Sequence, residues 1–230
     1  LTPEELNVAI EHKIRQQNNH PKLEFGGLSS TQMANWLYAP LHEKTAVTIA
    51  VPDDVSASPV MRYLGLILDE CMQNEGSFKA TSKGNLPTKL VKKASELLSE
   101  FKLAQYESEP SISEFQGSNE DKFNALHYSR VLAEIAGIMY YKSGRFHLKK
   151  AAQKQYKLHG IQTFFFPMLE VAISEYNWGY FDSFEQDVNL QHLWLFMLWR
   201  IQIHGNVNKV INEVITAFPD VLSELSPNDY

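Results

Sequence analysis

Eight histidines, one cysteine and a few acidic pairs are the side chains of this 230-residue chain that could ligate a metal or attack a bond. Their spacings match none of the patterns those chemistries need. A zinc or calcium site draws its ligands from one helix face, a cysteine pair or an acidic loop, and the sequence has no H-E-x-x-H, no Cys pair and no EF-hand loop. His192 and His204, on one continuous helix, would stand about 18 Å apart along its axis, too far to share an ion. His12 and His20 straddle a predicted helix end. Nucleophilic catalysis has no G-x-S-x-G elbow, and Cys71 falls on the apolar face of its predicted helix, where a thiol packs rather than reacts. Gly26 and Gly27 lack the lysine and the spacing of a phosphate loop. Asp53 and Asp54, like Asp69 and Glu70, are sequence neighbours that a helix or strand points apart, so solvent-facing or capping roles are expected. The sequence therefore assigns no catalytic residue, no metal ligand and no cofactor. An enzyme pocket, were there one, would form at Asn177–Asp182 from Trp178, Tyr180 and Asp182, with Phe181 beside them; a packed aromatic corner is the plainer expectation for this stretch.

The lysines offer a different chemistry. Lys79–Lys102 holds six lysines against Glu96 and Glu100, a net +4, and Lys142–Lys157 holds five lysines and Arg145 with no acid, a net +6. The whole chain carries −6, so everything outside those two segments carries −16. Such segregation can direct a polyanion to one face, although lysines also simply solvate exposed helices. The expected phosphate contacts are Lys83, Lys89, Lys92, Lys93, Arg145, Lys149, Lys150 and Lys154.

Both basic segments belong to a repeat. Arg62–Leu90 and Arg130–Leu158 align at an offset of 68, pairing Arg62 with Arg130, Leu64 with Leu132, Ile67 with Ile135, Gly76 with Gly144, Phe78 with Phe146 and Leu90 with Leu158. Each copy runs apolar helix, glycine turn, short aromatic strand, lysine-rich helix. That order is the back half of a winged-helix unit, and the expected fold is mainly α (α+β): two winged-helix-like units with short strands and a helical C-terminal region. The expected partition is 1–106 for the first helices and first unit, 107–121 for an acidic linker, and 122–230 for the second unit with its C-terminal helices.

Local signals place the elements. Thr2, Pro3 and Glu5 form a capping box with proline at the first helical position, predicting a helix to about Gln17. Ser29 and Gln32 start a second, ending before Pro40, with Trp36 and Leu37 inward. Ala46–Val51 (AVTIAV) reads as a strand. Ser58 and Pro59 open a helix with Val60, Leu64, Ile67, Leu68 and Cys71 on one face. Phe78–Thr81 is expected extended, followed by a cap at Asn85, Pro87 in the first turn, and a helix burying Leu90, Ala94, Leu97 and Leu98. In the second copy a helix spans Asp121–Tyr141 and a strand spans Arg145–Leu148; later helices fall at Gln162–Tyr176, Phe184–Ile203 and Asn206–Phe218.

Composition sets the class. At 44% hydrophobic and 12% aromatic the chain can bury a core unaided. A single cysteine fits a reducing compartment, and no signal peptide or membrane-length apolar run is visible, so a cytoplasmic protein is expected, its missing Met pointing to a trimmed start. Composition sets no oligomeric state.

Gly137–Lys150 (GIMYYKSGRFHLKK) resembles a winged-helix recognition helix running into its wing, with ATSKG at Ala80 supplying the closing element in the first copy and Leu148, Lys149 and Ala152 departing from it in the second. GGLSSTQM at Gly26, SKGNLP at Ser82 and NWGYFD at Asn177 together are similar to an uncharacterised bacterial family of hypothetical proteins, a resemblance that carries no established activity. The expected reading helix presents Asn124, His127, Tyr128, Arg130 and Glu134, a face weakly suited to DNA and equally suited to protein. The leading expectation is a non-enzymatic module whose partner is nucleic acid; a protein-interaction or scaffold module is the alternative, and an enzyme the third.

Overall fold

The computed structural model describes residues 2–98, 119–182 and 190–220. Among the described residues the chain is mainly helical with one small antiparallel sheet, the α+β class expected from the sequence. Its internal contacts divide it into two units, Ala50–Phe184 and, from the two ends of the chain, Leu1–Ile49 with Glu185–Tyr230. This partition differs from the one expected at 107–121, because both repeat copies fall inside the central unit. None of the helices in the described residues is long and apolar enough to cross a membrane.

In the unit built from the chain ends, α1 (Pro3–Asn18) and α2 (Ser30–Tyr38) both begin on the predicted capping boxes, Thr2 with Glu5 and Ser29 with Gln32. Helix α1 buries none of its residues, whereas α2 buries Met33 and Trp36. The Trp36 ring meets Trp199 edge-on at 5.3 Å and its indole N–H donates to the Thr45 carbonyl at 2.7 Å.

In the central unit, α3 (Pro59–Gln73) buries Met61, Tyr63, Leu64, Ile67, Leu68 and Cys71. Burial pushes the Cys71 thiol up to about 12, so it stays protonated and serves packing. Strand β1 (Ser77–Lys79) follows a turn at Glu75 and Gly76, and α4 (Thr88–Leu97) starts after Pro87. Pro87, not Asn85, holds the cap position; the Asn85 amide donates instead to Asp121 at 2.8 Å.

The second copy is α5 (Asn124–Ile135), strands β2 (Met139–Lys142) and β3 (Arg145–Leu148), then α6 (Lys150–His159). Here the predicted helix to Tyr141 is too long. Gly137 adopts φ +67 and the Ile138 N–H reaches back to the Ala133 carbonyl at 2.9 Å, a left-handed cap that stops the helix six residues early and frees Met139–Lys142 to become a strand. Ser143 (φ +50) and Gly144 (φ +73) then form a two-residue hairpin turn.

The sheet order is β1-β3-β2, so the two copies share one sheet instead of each building its own. Phe78 pairs with Phe146, its own repeat equivalent, and the ladder extends symmetrically: Leu148 N–H to Gly76 O at 2.8 Å, Ala80 N–H to Gly144 O at 2.9 Å. A local twofold axis therefore passes between the two phenylalanines. The repeat does not continue beyond the strands. Leu90 is 2% exposed and Leu158 63%, because the second copy lacks the turn at 80–87; by position in its helix the counterpart of Leu90 is the buried Ala152.

The segment Ala46–Val51 has strand composition but forms no strand, since no segment among the described residues pairs with it; it runs across the boundary of the two units. The rest of the central unit is a 3-10 turn at Ile161–Phe164, α7 (Phe165–Ser174) and the short α8 (Gly179–Asp182), where the sequence predicts one helix at 162–176. A 3-10 turn at Leu190–Leu193, α9 (Trp194–His204) and α10 (Val207–Ala217) complete the other unit; the first part of the helix expected from Phe184 lies outside the described residues.

Most of the expected acidic linker also lies outside the described residues; of its last three residues, Glu120 is buried while Asn119 and Asp121 are exposed. Glu120, in a 3-10 turn at Glu120–Lys122, is 0% exposed. Its carboxylate accepts from Leu86 N–H, from the Arg130 guanidinium and from His127 Nδ1 at 3.0 Å, and Arg130 also pairs with Glu134 at 2.6 Å. Burial alone would raise the Glu120 carboxyl; the hydrogen bond from His127, the Arg130 charge and the Leu86 amide outweigh it and hold the group below its ordinary range. The stability this contributes is complete above the unfolded carboxylate range and is lost as pH falls through the depressed folded value. Glu120→Ala should cost about 2–3 kcal/mol by leaving the Leu86 amide without its acceptor and Arg130 with Glu134 alone, read as lost amide-exchange protection across 124–148, and the gap between variant and parent should narrow as the pH is lowered below about 4.

Candidate nucleic-acid interface

Side chains on a strand alternate between faces, and directly opposed residues share one. The register of this sheet therefore sorts its residues without ambiguity. Phe78, Phe146 and Tyr141 lie on the inner face, and Phe78 and Phe146 are buried with their centroids 5.6 Å apart. The outer face carries two rungs: Lys79, Arg145 and Lys142 in one, Ser77, His147 and Tyr140 in the next. Lys79, Lys142 and Tyr140 are exposed, and Ser77, Arg145 and His147 are half-buried.

Three cations thus stand side by side across three strands, a row about 10 Å wide at the usual strand spacing. Among the described residues none of the three has a carboxylate partner. Arg145 is held in place by its diagonal neighbour, donating from Nε and Nη2 to the Ser77 hydroxyl at 3.2 and 3.0 Å and from Nη2 to the Ser77 carbonyl at 3.0 Å. These bonds engage Nε and Nη2 of the planar fork and use none of the donors on Nη1. In the second rung the Tyr140 and His147 rings stack at 5.0 Å, 12° from parallel, and His147 Nε2 donates to the Lys142 carbonyl at 3.3 Å.

The row is supported from below. On the inner face the Arg130 guanidinium lies 5.4 Å from the centre of the Phe146 ring, so the ion pair that buries Glu120 also backs the central strand.

Of the eight predicted phosphate contacts, only Arg145 lies in the row. Lys83 sits in the turn after β1, beside Gly84, which faces the Tyr141 hydroxyl. Lys89 and Lys92 are exposed on α4, and Lys93 is paired with Glu70 at 3.1 Å. Lys149 caps α6, and Lys150 and Lys154 are exposed along it. Because β1 and β3 are antiparallel, α4 and α6 leave from opposite ends of the strand pair, and the two lysine-rich helices do not start side by side. Lys79 and Lys142 belong to the basic segments but are not among the predicted contacts. Their alternation with Phe78 and Tyr141 is the signal that finds them, once Met139–Lys142 is recognised as a strand.

Helix α5 does not offer the reading face expected of it. Asn124 is buried, Tyr128 packs against the core, Arg130 is bound to Glu120 and Glu134, and the His127 ring stacks on Tyr180 at 6.2 Å. At the aromatic corner Trp178 donates its indole N–H to the Ala172 carbonyl at 2.7 Å and packs against the core, while Tyr180 is 63% exposed. Asp182 is the last residue of α8; its side chain lies outside the described set. Among the described residues no group of three or more His, Cys, Asp or Glu could hold a metal. In the other unit, Arg200 grips Glu213 with two bonds at 2.9 and 2.7 Å and His204 joins them at 3.1 Å, an ion-pair network beside a cleft of about 310 Å³ that also contains Glu24 and Lys209.

Gly144→Val tests the hairpin on which the row depends. Forcing a β-branched residue to φ +73 should cost about 1–2 kcal/mol and lower the melting temperature without altering any charge. Comparison with protein-family models, with curated proteins and with solved structures finds no match for this chain.

Proposed function

We propose that this protein is a non-enzymatic binding module that contacts nucleic acid through the outer face of its three-stranded sheet, with the lysines of the adjoining turn and helices as a flanking basic surface. The observation that carries this reading is the row Lys79–Arg145–Lys142, three cations on one exposed face without a carboxylate partner among the described residues, in a chain that is acidic elsewhere. A row of unpaired like charges has no structural purpose of its own, since it repels itself, and a line of phosphates relieves that repulsion. Lys83 in the turn after β1, Lys149, Lys150 and Lys154 at α6, and Lys89 and Lys92 on α4 are secondary contacts, while Lys93 is held by Glu70. The pinned Arg145 supports the reading further, because a fixed guanidinium loses little freedom on binding.

Fluorescence anisotropy with labelled DNA and RNA from about 50 to 200 mM salt tests this directly. Binding that weakens steeply with salt is expected. Lys79→Glu combined with Lys142→Glu should abolish it, whereas Lys89→Glu with Lys92→Glu should weaken it only by reducing the salt slope, by about one unit for each phosphate no longer neutralised. Unchanged binding in the Lys79/Lys142 variant would overturn the assignment.

A second reading, a protein-interaction module, is favoured by α1. Leu6, Ile10 and Ile14 recur every fourth residue along it, each about half exposed, and the helix buries nothing. A complex insensitive to salt and abolished by Ile10→Asp would select this reading over the first.

A further inference from the structure

We infer that the ligand of the outer sheet face is single-stranded nucleic acid, its bases stacking on the Tyr140–His147 pair while its phosphates lie on the Lys79–Arg145–Lys142 row. This rests on the reading of that face as a nucleic-acid interface and goes beyond it by naming the strandedness and the base-contacting residues.

Two features of the face are otherwise unexplained. An aromatic pair on the outer side of a sheet, with Tyr140 40% exposed, buries little apolar surface for the fold; Phe78 and Phe146 on the opposite face do that work. The pair also lies one rung from the cation row, on the same face, and is near-parallel, with its rings 12° apart. Aromatic rings one rung from a line of cations reproduce the spacing of a nucleotide, where a flat π-surface and a phosphate are joined by one sugar.

The platform is open on the correct side. Strand β2 is the edge of the sheet, so one face of Tyr140 meets His147 and no strand among the described residues opposes the other. The imidazole is kept in plane by its hydrogen bond to the Lys142 carbonyl, which ties the stacking rung to the cation rung through the backbone of β2. Arg145, pinned by Ser77, fixes the centre of the row.

A duplex does not suit this face. Its base faces are stacked inside, so it could use the cations and not the rings. Groove reading needs an exposed element with hydrogen-bonding side chains, and α5, the element the sequence offers for it, has Asn124 buried, Tyr128 packed against the core and Arg130 bound to Glu120 and Glu134. Stacking accepts any base, because every base has a π-face, so little sequence preference is expected. DNA and RNA share the chemistry invoked.

The test uses the full chain with single-stranded DNA and RNA dodecamers and a matched duplex, each fluorescein-labelled for anisotropy, and a second single strand carrying 2-aminopurine, whose emission changes when its base stacks on a protein ring. The single strands should bind tighter than the duplex, and 2-aminopurine emission should change on binding. Tyr140→Ala should weaken single-strand binding by about tenfold or more and remove the 2-aminopurine response, Tyr140→Phe should retain both, and neither variant should change duplex binding. His147→Ala should weaken single-strand binding in the same sense. An unchanged melting temperature for Tyr140→Ala excludes loss of fold as the cause. If Tyr140→Ala binds like the parent while Lys79→Glu with Lys142→Glu does not, or if duplex and single strand bind equally, the stacking inference is overturned and the nucleic-acid reading stands. If no oligonucleotide binds at the lowest salt, both fail together.

Discussion

The central unit depends on one buried carboxylate. Glu120 is removed from water completely, and an unpaired carboxylate could not remain there ionised. It stays because three donors from two parts of the chain converge on it: the Leu86 amide from the first repeat copy, His127 and Arg130 from the second. Together the donors restrain two separate elements. Leu86 anchors the turn ahead of α4, His127 and Arg130 fix the face of α5, and Arg130 carries the constraint to the Phe146 ring and so to the middle of the sheet. A buried ion pair of this kind adds little net stability over an apolar contact of the same volume. What it sets is position, since the donors have only one arrangement in which all are satisfied.

Around that anchor the two copies assemble as one body. Pairing Phe78 with Phe146 places identical residues on the local axis, so each contributes the same surface to the inner face, and α3 packs along α5 beneath them. The copies differ where one glycine intervenes. At the repeat offset Gly137 matches Asp69, which lies inside α3; there the helix continues to Gln73, whereas after Gly137 the chain turns back and adds strand β2. That added strand supplies both Lys142 and Tyr140. The outer face is therefore a product of the divergence between the copies, not of their symmetry.

The elements with a local cause are legible in the sequence. Capping boxes at Thr2 and Ser29, the Ser58–Pro59 start and the glycine turns at 76 and 144 each act within a few residues, and each forms. The exceptions have distant causes. Ala46–Val51 has the composition of a strand but a strand needs a neighbour, and no local signal says whether one is there. Met139–Tyr141 continues the helical period of α5, so only the backbone preference of Gly137 distinguishes helix from strand. Glu120 resembles any other acid in a polar stretch, because what buries it lies 34 residues earlier at Leu86. The candidate site is legible in part for the same reason: Arg145 stands out by charge and repeat position, while Lys79 and Lys142 become its neighbours only through the register.

The division of the chain into a continuous central unit and a second unit assembled from both ends has a consequence for biosynthesis. Translation completes residues 50–184 before it reaches α9 and α10, so the Glu120 anchor and the sheet can close while α2 still lacks the helices that cover Trp36 and Met33. The face bearing the cation row can therefore form on the nascent chain before the other unit is complete.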